Sequence, residues 1–195
     1  MRRRSAPQPA IATRDRILDA AVLRFSRRSY EETGLRDVAA DADIDVSYVH
    51  RCFGSKEQLF AEALAATIRP DELLASSVSN LAETLAKQVF ARDGARASED
   101  VQPLDIVIRS LSSPEASRVL REFIQNDFIN PLARKLDHPP DSRVALIAAF
   151  LAGVGILRNV LRIPPLREGQ GGELEKFIAR TIKGLMRKDL AVRRT

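Results

Sequence analysis

Tryptophan is absent from this 195-residue chain, and cysteine occurs once, as Cys52. A single thiol excludes a disulfide within the chain and leaves no cysteine cluster for structural zinc. Histidine is nearly as scarce, with His50 and His138 alone, so metal chemistry has few ligands to draw on. No metal and no cofactor is expected. Strand-type alternation of apolar and polar residues is missing, and so is any internal repeat. Long hydrophobic runs are missing too. The longest apolar stretch, 144–157, holds fourteen residues, which is short for a membrane span, and it is rich in Ala and Gly. Arg2, Arg3 and Arg4 would suit the start of a targeting signal, but small residues and prolines follow where an apolar segment would be needed. These absences lead to the expectation of a soluble, cytoplasmic protein with no membrane partner.

Hydrophobic residues make up 45% of the chain and charged residues 29%, enough to bury a real core. The length fits one compact body, or a small domain with a medium one. A net charge of +5 favours polyanionic partners in a general way. No Ser/His/Asp arrangement and no metal-ligand spacing is present, so no enzyme is expected. Gly169-Gln170-Gly171-Gly172 lacks the strand and the Lys-Ser/Thr that a phosphate loop needs, and reads as a loop between helices.

The chain reads as all-α, with about nine helices. Residues 1–10 are basic, carry Pro7 and Pro9, and suit a disordered tail or an arm touching DNA. From Thr13, apolar residues Ile17, Leu18, Ala21, Val22 and Phe25 recur at one-face helical spacing, up to about residues 29–30. Thr33 and Gly34 precede a second helix with Leu35, Val38, Ala39 and Ala42 inward. A tight turn over 42–45 leads to a third helix at about 46–52. Ser55 and Gln58 have capping-box spacing at the start of a fourth, which Pro70 interrupts. Beyond it the pattern predicts an amphipathic helix over 73–90, a polar loop over 92–103 and a short helix over 104–111. A helix capped by Ser113 with Pro114 in its first turn then runs to about 136, kinked at Pro131. His138-Pro139-Pro140 separates it from a helix over about 142–161. The last helix is expected over about 173–190, after a loop at 163–172.

A helix-turn-helix needs a first helix across the DNA backbone, a tight turn, and a second helix with polar or small residues outward and an apolar edge inward. Residues 34–53 have that pattern. Ile44, Val49 and Phe53 fall inward by spacing, leaving Val46, Ser47, Tyr48, His50 and Arg51 outward.

These segments resemble the TetR (tetracycline repressor) family of transcriptional regulators. Thr13-Arg14-Asp15-Arg16-Ile17-Leu18-Asp19-Ala20-Ala21 resembles the family's opening helix. Arg36-Asp37-Val38-Ala39-Ala40-Asp41-Ala42 resembles its second, and Val49-His50-Arg51-Cys52-Phe53-Gly54-Ser55-Lys56-Glu57-Gln58-Leu59 its recognition-helix end and fourth-helix start. The match covers about residues 11–60. It implies a DNA-binding head over 11–60 and a helical ligand-binding and dimerisation domain over 61–195. Ser47 and Tyr48 stand where members contact base edges, His50 where members carry a phosphate-binding Tyr, and Lys56 where members touch phosphate. Thr33 stands near the backbone at the second helix. The candidate DNA-binding set is Thr33, Gly34, Arg36, Asp45, Val46, Ser47, Tyr48, His50, Arg51 and Lys56.

Plainer roles stand beside these. Tyr48 also suits half-buried packing, Lys56 an ordinary solvated lysine, His50 a neutral polar contact and Cys52 a small packing residue. Asp43 replaces the family's turn glycine, and Asp45 replaces its serine while keeping N-cap ability. Residues 31–45 hold six acids (Glu31, Glu32, Asp37, Asp41, Asp43, Asp45) against Arg36, a net of −5. Residues 1–28 hold eight arginines against Asp15 and Asp19, a net of +6.

Ala148, Ala149, Ala152, Gly153 and Gly155 put small side chains into one apolar helix, which permits close helix–helix approach. With the resemblance, this implies a homodimer through about 142–161 and 173–190, on a palindromic double-stranded DNA operator. The alternative is an intramolecular buried helix. The middle helices are expected to enclose a small-molecule effector, with Phe90, Arg109, Phe123, Asn126, Asp127 and Phe128 as candidate lining residues. The expected function is a ligand-responsive regulator, a repressor released from its operator. The alternative, which draws on the acidic run at 31–45, is a helical dimeric sensor that does not bind DNA specifically.

Overall fold

The computed structural model describes residues 10–90, 101, 103–137, 139 and 141–187. The basic tail, most of the polar loop over 92–103 and His138 lie outside the described residues. Every regular element among the described residues is helical. They fall into two compact units, residues 1–68 with 101–120, and residues 69–100 with 121–195.

The first unit is built around α1 (Ala10–Arg27), α2 (Leu35–Asp41), α3 (Val46–Phe53), α4 (Lys56–Ile68) and α7 (Pro103–Ser110), with the first turns of α8 (Pro114–Phe123). Ile17, Ala21 and Phe25 line the buried stripe of α1, which packs against α4 and α7. Phe25 stacks on Tyr30 at 6.0 Å, and both meet Phe60 edge-on at 5.0 and 5.1 Å. Each such ring contributes about 1.5–3 kcal/mol by burial. Burial also pushes the Tyr30 hydroxyl up to about 12.

The helix over 104–111 was expected within the ligand-binding body, yet it packs in the unit of the head. Arg109 Nε donates to Ser26 O at 2.7 Å, and Ser113 Oγ donates to Glu31 at 2.5 Å. Ile106, Ala116, Val119 and Leu120 are buried there.

The second unit contains α5 (Pro70–Leu74), α6 (Val78–Phe90), α9 (Asn130–Lys135), α10 (Asp141–Gly155) and α11 (Glu173–Met186). Leu81, Leu85, Phe90, Leu132, Ile147 and Ile178 belong to its core. The single helix expected over 73–90 is two, divided at 75–77. Arg69 takes a left-handed backbone (φ 51°) and Pro70 then opens α5, which its fixed φ and missing N–H suit.

Pro131 is accommodated by more than a kink. Residues Ile124–Ile129 wind as a π-helix, and Asn130 N donates to Gln125 O, five residues back. A widened turn absorbs the hydrogen bond that proline cannot donate.

A second π segment, Ile156–Val160, continues α10. The helical stretch Ser142–Val160 is nineteen residues, longer than the fourteen-residue apolar run, and is long and apolar enough by length and composition to cross a membrane. Its share buried inside the chain is 22%. Leu146 and Leu157 on this helix, and Phe177 on α11, are exposed. Buried Arg158 lies over the Phe90 ring at 4.3 Å and donates to Glu168 O at 2.8 Å. The Glu168 carboxylate in turn accepts from the Glu173 and Leu174 N–H groups, both at 2.8 Å, closing the start of α11.

Candidate nucleic-acid interface

Helix α2 opens at Gly34, whose N–H donates to Asp37 Oδ2 at 2.9 Å. Val38 and Ala39 face inward, and Ala42 closes the helix. The turn then requires a left-handed residue, and Asp43 supplies it at φ 52°. Asp tolerates that backbone better than most residues, at more cost than glycine. Ile44 N donates to Ala39 O, and Arg16 reaches across from α1 to Ala42 O. The turn is thus pinned from both sides.

Asp45 caps α3, its carboxylate accepting from Ser47 N at 2.7 Å, and hydrogen bonds from the Ser47 hydroxyl and then from its N–H hold the carboxyl below its usual range. Val49 and Phe53 are buried, while Ser47, His50 and Arg51 are exposed. His50 Nδ1 lies 3.1 Å from Gly54 O. Gly54 ends the helix at φ 74°, and a Cβ there would stand 2.2 Å from Gln58 Oε1, so the site needs glycine. Ser55 and Gln58 form the reciprocal capping box at 3.2 Å each way.

The structure places the remaining candidate contacts in different settings. Arg36 is exposed, Val46 and Tyr48 are half-buried, and Lys56 lies with Nζ 4.1 Å from the Tyr30 ring centroid. Thr33 is buried, and its hydroxyl donates to Ser29 O at 3.0 Å, which makes it part of the entry to α2 instead of an outward contact. Cys52 is half-buried.

The acidic run has an internal explanation that spacing could not show. Glu31 accepts from Ser113, and Glu32 from the Ser29 N–H and hydroxyl at 3.1 and 3.0 Å. Asp37 caps α2, and Asp45 caps α3. Asp41 takes a bidentate pair from Arg24 at 2.7 and 3.0 Å, which holds its carboxyl below the usual range. Five of the six carboxylates are therefore engaged within the head. Asp43 is the exception: its side chain makes no hydrogen bond or ion pair among the described residues. Arg16 and Arg24, which sequence reasoning assigned no role, hold the turn and the end of α2. The signal for them was present as the opposed charges of 1–28 and 31–45.

The candidate effector-lining residues do not form one group. Phe90, Phe123 and Phe128 are buried. Asn126 and Asp127 are exposed, because the π turn rotates them outward. Arg109 belongs to the head's unit, tied to Ser26 O.

Comparison with known proteins also distinguishes two parts, but residues 101–120 fall in the second of them and not with the head. A family model described as bacterial regulatory proteins, tetR family, matches residues 17–63. Another, described as tetracyclin repressor-like, C-terminal domain, matches residues 79–186. The probable HTH-type transcriptional regulator YttP of Bacillus subtilis (strain 168) is 29% identical over 86 residues, 41% of this chain. That alignment spans 42% of the relative's own length. The solved structure of NalD, the secondary repressor of the MexAB-OprM multidrug efflux pump in Pseudomonas aeruginosa, is 20% identical. It aligns over 94% of this chain and 100% of its own, with a TM-score of 0.66. The multidrug binding protein EbrR complexed with ethidium is also 20% identical, over 89% and 98%, with a TM-score of 0.60. At these identities the two structures establish a shared fold.

Proposed function

We propose, from the premise that this chain belongs to the tetR family of bacterial regulatory proteins, that it is a cytoplasmic, non-enzymatic transcriptional regulator released from its operator by a small molecule. The observation that carries this reading is α3. Its apolar edge is fixed in the core by Val49 and Phe53, and its outer face offers Ser47, His50 and Arg51 to a groove. Exposed Arg36 and the partly exposed Lys56 suit phosphate, which positions the head without reading sequence.

The second unit supports a sensor and a dimer. The related fold of EbrR holds ethidium, and NalD is a repressor. The helix Ser142–Val160 leaves most of an apolar surface uncovered by its own chain, as does Phe177 on α11. A second copy packed on α10 and α11 covers that surface, as a membrane does not need to. A two-fold dimer predicts a palindromic operator with half-sites about one helical turn apart. The effector acts by shifting the population between DNA-competent and incompetent dimers.

The reading of a sensor without specific DNA binding drew on the acidic run. With five of those carboxylates engaged internally, Asp43 alone, among the described residues, remains to support it. Selection of bound duplexes from a random-sequence pool, followed by titration over a range of salt, tests the function. A palindromic motif and a steep negative salt slope are expected. Equal binding to all sequences with a flat slope overturns the reading.

A further inference from the structure

We propose that Arg51 is the residue through which this head reads guanine, and that Tyr48 acts as its positioning residue. The inference rests on the DNA-binding reading above and deepens it.

Position comes first. Helix α3 turns about 100° per residue, so Arg51, two residues from both Val49 and Phe53, lies about 160° from each. Those two residues are fully buried or nearly so. Arg51 therefore stands on the side of α3 farthest from the core, in the helix's last turn, from which a long side chain can reach a base edge.

Its donors are available. Three of the head's other arginines are committed to the scaffold, and exposed Arg36 stands on α2 and not on α3. Arg14 pairs with Glu62 and lies over the Phe53 ring at 4.6 Å. Arg16 bonds Ala42 O, and Arg24 bonds Asp41. The Arg51 guanidinium makes no hydrogen bond or ion pair among the described residues. Asp45, on the same helix, is occupied by Ser47 N.

The group is also held in place. The Arg51 guanidinium carbon lies 4.9 Å from the Tyr48 ring centroid. The two residues are three apart on one helix and so are surface neighbours. Tyr48 is half-buried, which steadies the ring. A cation–π contact uses none of the guanidinium's N–H groups as a hydrogen bond, so the donors stay available. Fewer rotamers then remain to be frozen on binding.

The chemistry selects the base. Guanine alone offers two acceptors, N7 and O6, side by side in the major groove, and a guanidinium edge matches them with two donors. No neighbour offers such a fork. Ser47 has one hydroxyl, the His50 Nδ1 is engaged with Gly54 O, and Lys56 is a point charge over Tyr30.

The test is selection by the full-length chain from a random-sequence duplex pool, with quantitative titration of the enriched duplexes. Wild type is expected to enrich guanine at one fixed position in each half-site. Arg51→Ala is expected to lose that preference by about 5- to 150-fold while preferences elsewhere in the site persist. Arg51→Lys, which keeps the charge and lacks the fork, is expected to lose it as well. Tyr48→Phe keeps the aromatic face and should retain the guanine preference, whereas Tyr48→Ala should weaken it. An Arg51→Ala protein with an unchanged motif, uniformly weaker binding and a salt slope shallower by about one marks a phosphate contact and overturns the guanine role. A Tyr48→Phe protein that loses the preference as Tyr48→Ala does assigns the reading to the hydroxyl and overturns the positioning role. Wild type that enriches no motif overturns the DNA-binding reading itself, a result distinct from the other two. Circular dichroism melts of each variant separate lost recognition from lost folding.

Discussion

Helices α3 and α10 are each left partly uncovered by their own chain, with opposite surfaces on show. On α3 the uncovered residues are Ser47, His50 and Arg51, and the apolar Val49 and Phe53 are inside. On α10 Val144 and Ile147 are inside, yet Leu146, Ala145 and Ala149 are outside as well. A polar uncovered face is stable in water and is free to meet a polyanion. An apolar one is costly in water at roughly 25 cal/mol per Å², so it calls for another apolar surface. On the proposed function, the difference separates a face kept for a transient partner from one kept for a lasting partner.

The largest expected effect tests the apolar side of that contrast. Leu146→Asp places a charge where the proposed partner copy packs. An uncompensated buried charge costs about 3–5 kcal/mol, enough to turn a dimer into a monomer at micromolar concentration. Sedimentation velocity should show the monomer, while circular dichroism shows helix content unchanged. A variant that stays dimeric removes α10 from the interface and breaks the comparison.

A smaller effect tests the polar side. Val49→Ala removes two buried carbons from α3 and should destabilise the head by about 2 kcal/mol once the residual cavity is included. His50→Ala, one residue along, is exposed and should change stability by less than about 0.5 kcal/mol. Thermal melts of the two variants should therefore differ clearly, even though both are expected to impair DNA binding. Equal destabilisation would show that the outer face of α3 is structural.

Much of the head was legible because its signals are local. The inward residues Ile17, Val38, Val49 and Phe53 follow from periodicity, and Asp45 and the Ser55–Gln58 box follow from cap chemistry. Ile44, expected inward, is half-buried, since it closes the turn at its edge. What stayed hidden depends on contacts far apart in the chain. Arg109 meets Ser26 across 83 positions, and Ser113 meets Glu31 across 82. No spacing rule reaches that far, so the packing of residues 101–120 in the head's unit was not legible, although the C-terminal family model takes those residues in. The acids at 31–45 misled for the same reason: a count of charges registers their sign and not their partners. The π turn before Pro131 was half legible, since proline announces a disturbance without saying whether the helix bends or widens.

The smallest effect concerns Asp43, the one acid of that run whose side chain has no partner among the described residues. Two properties of this residue oppose each other and can be separated. Its left-handed backbone favours glycine, but glycine also raises the entropy of the unfolded chain. Asp43→Gly should therefore shift stability by less than about 1 kcal/mol, the relief and the entropy nearly offsetting. Asp43→Asn keeps the tolerance for a left-handed backbone and removes the charge alone. If the carboxylate repels the DNA backbone, Asn should tighten binding at low salt, and the gain should shrink as screening shortens the reach of the charge. Gly should then tighten binding by the same amount, because the charge is what the two variants share. A gain for Gly without one for Asn would place the cost in the backbone of the turn, and the outer face of the head would then owe nothing to its remaining acid.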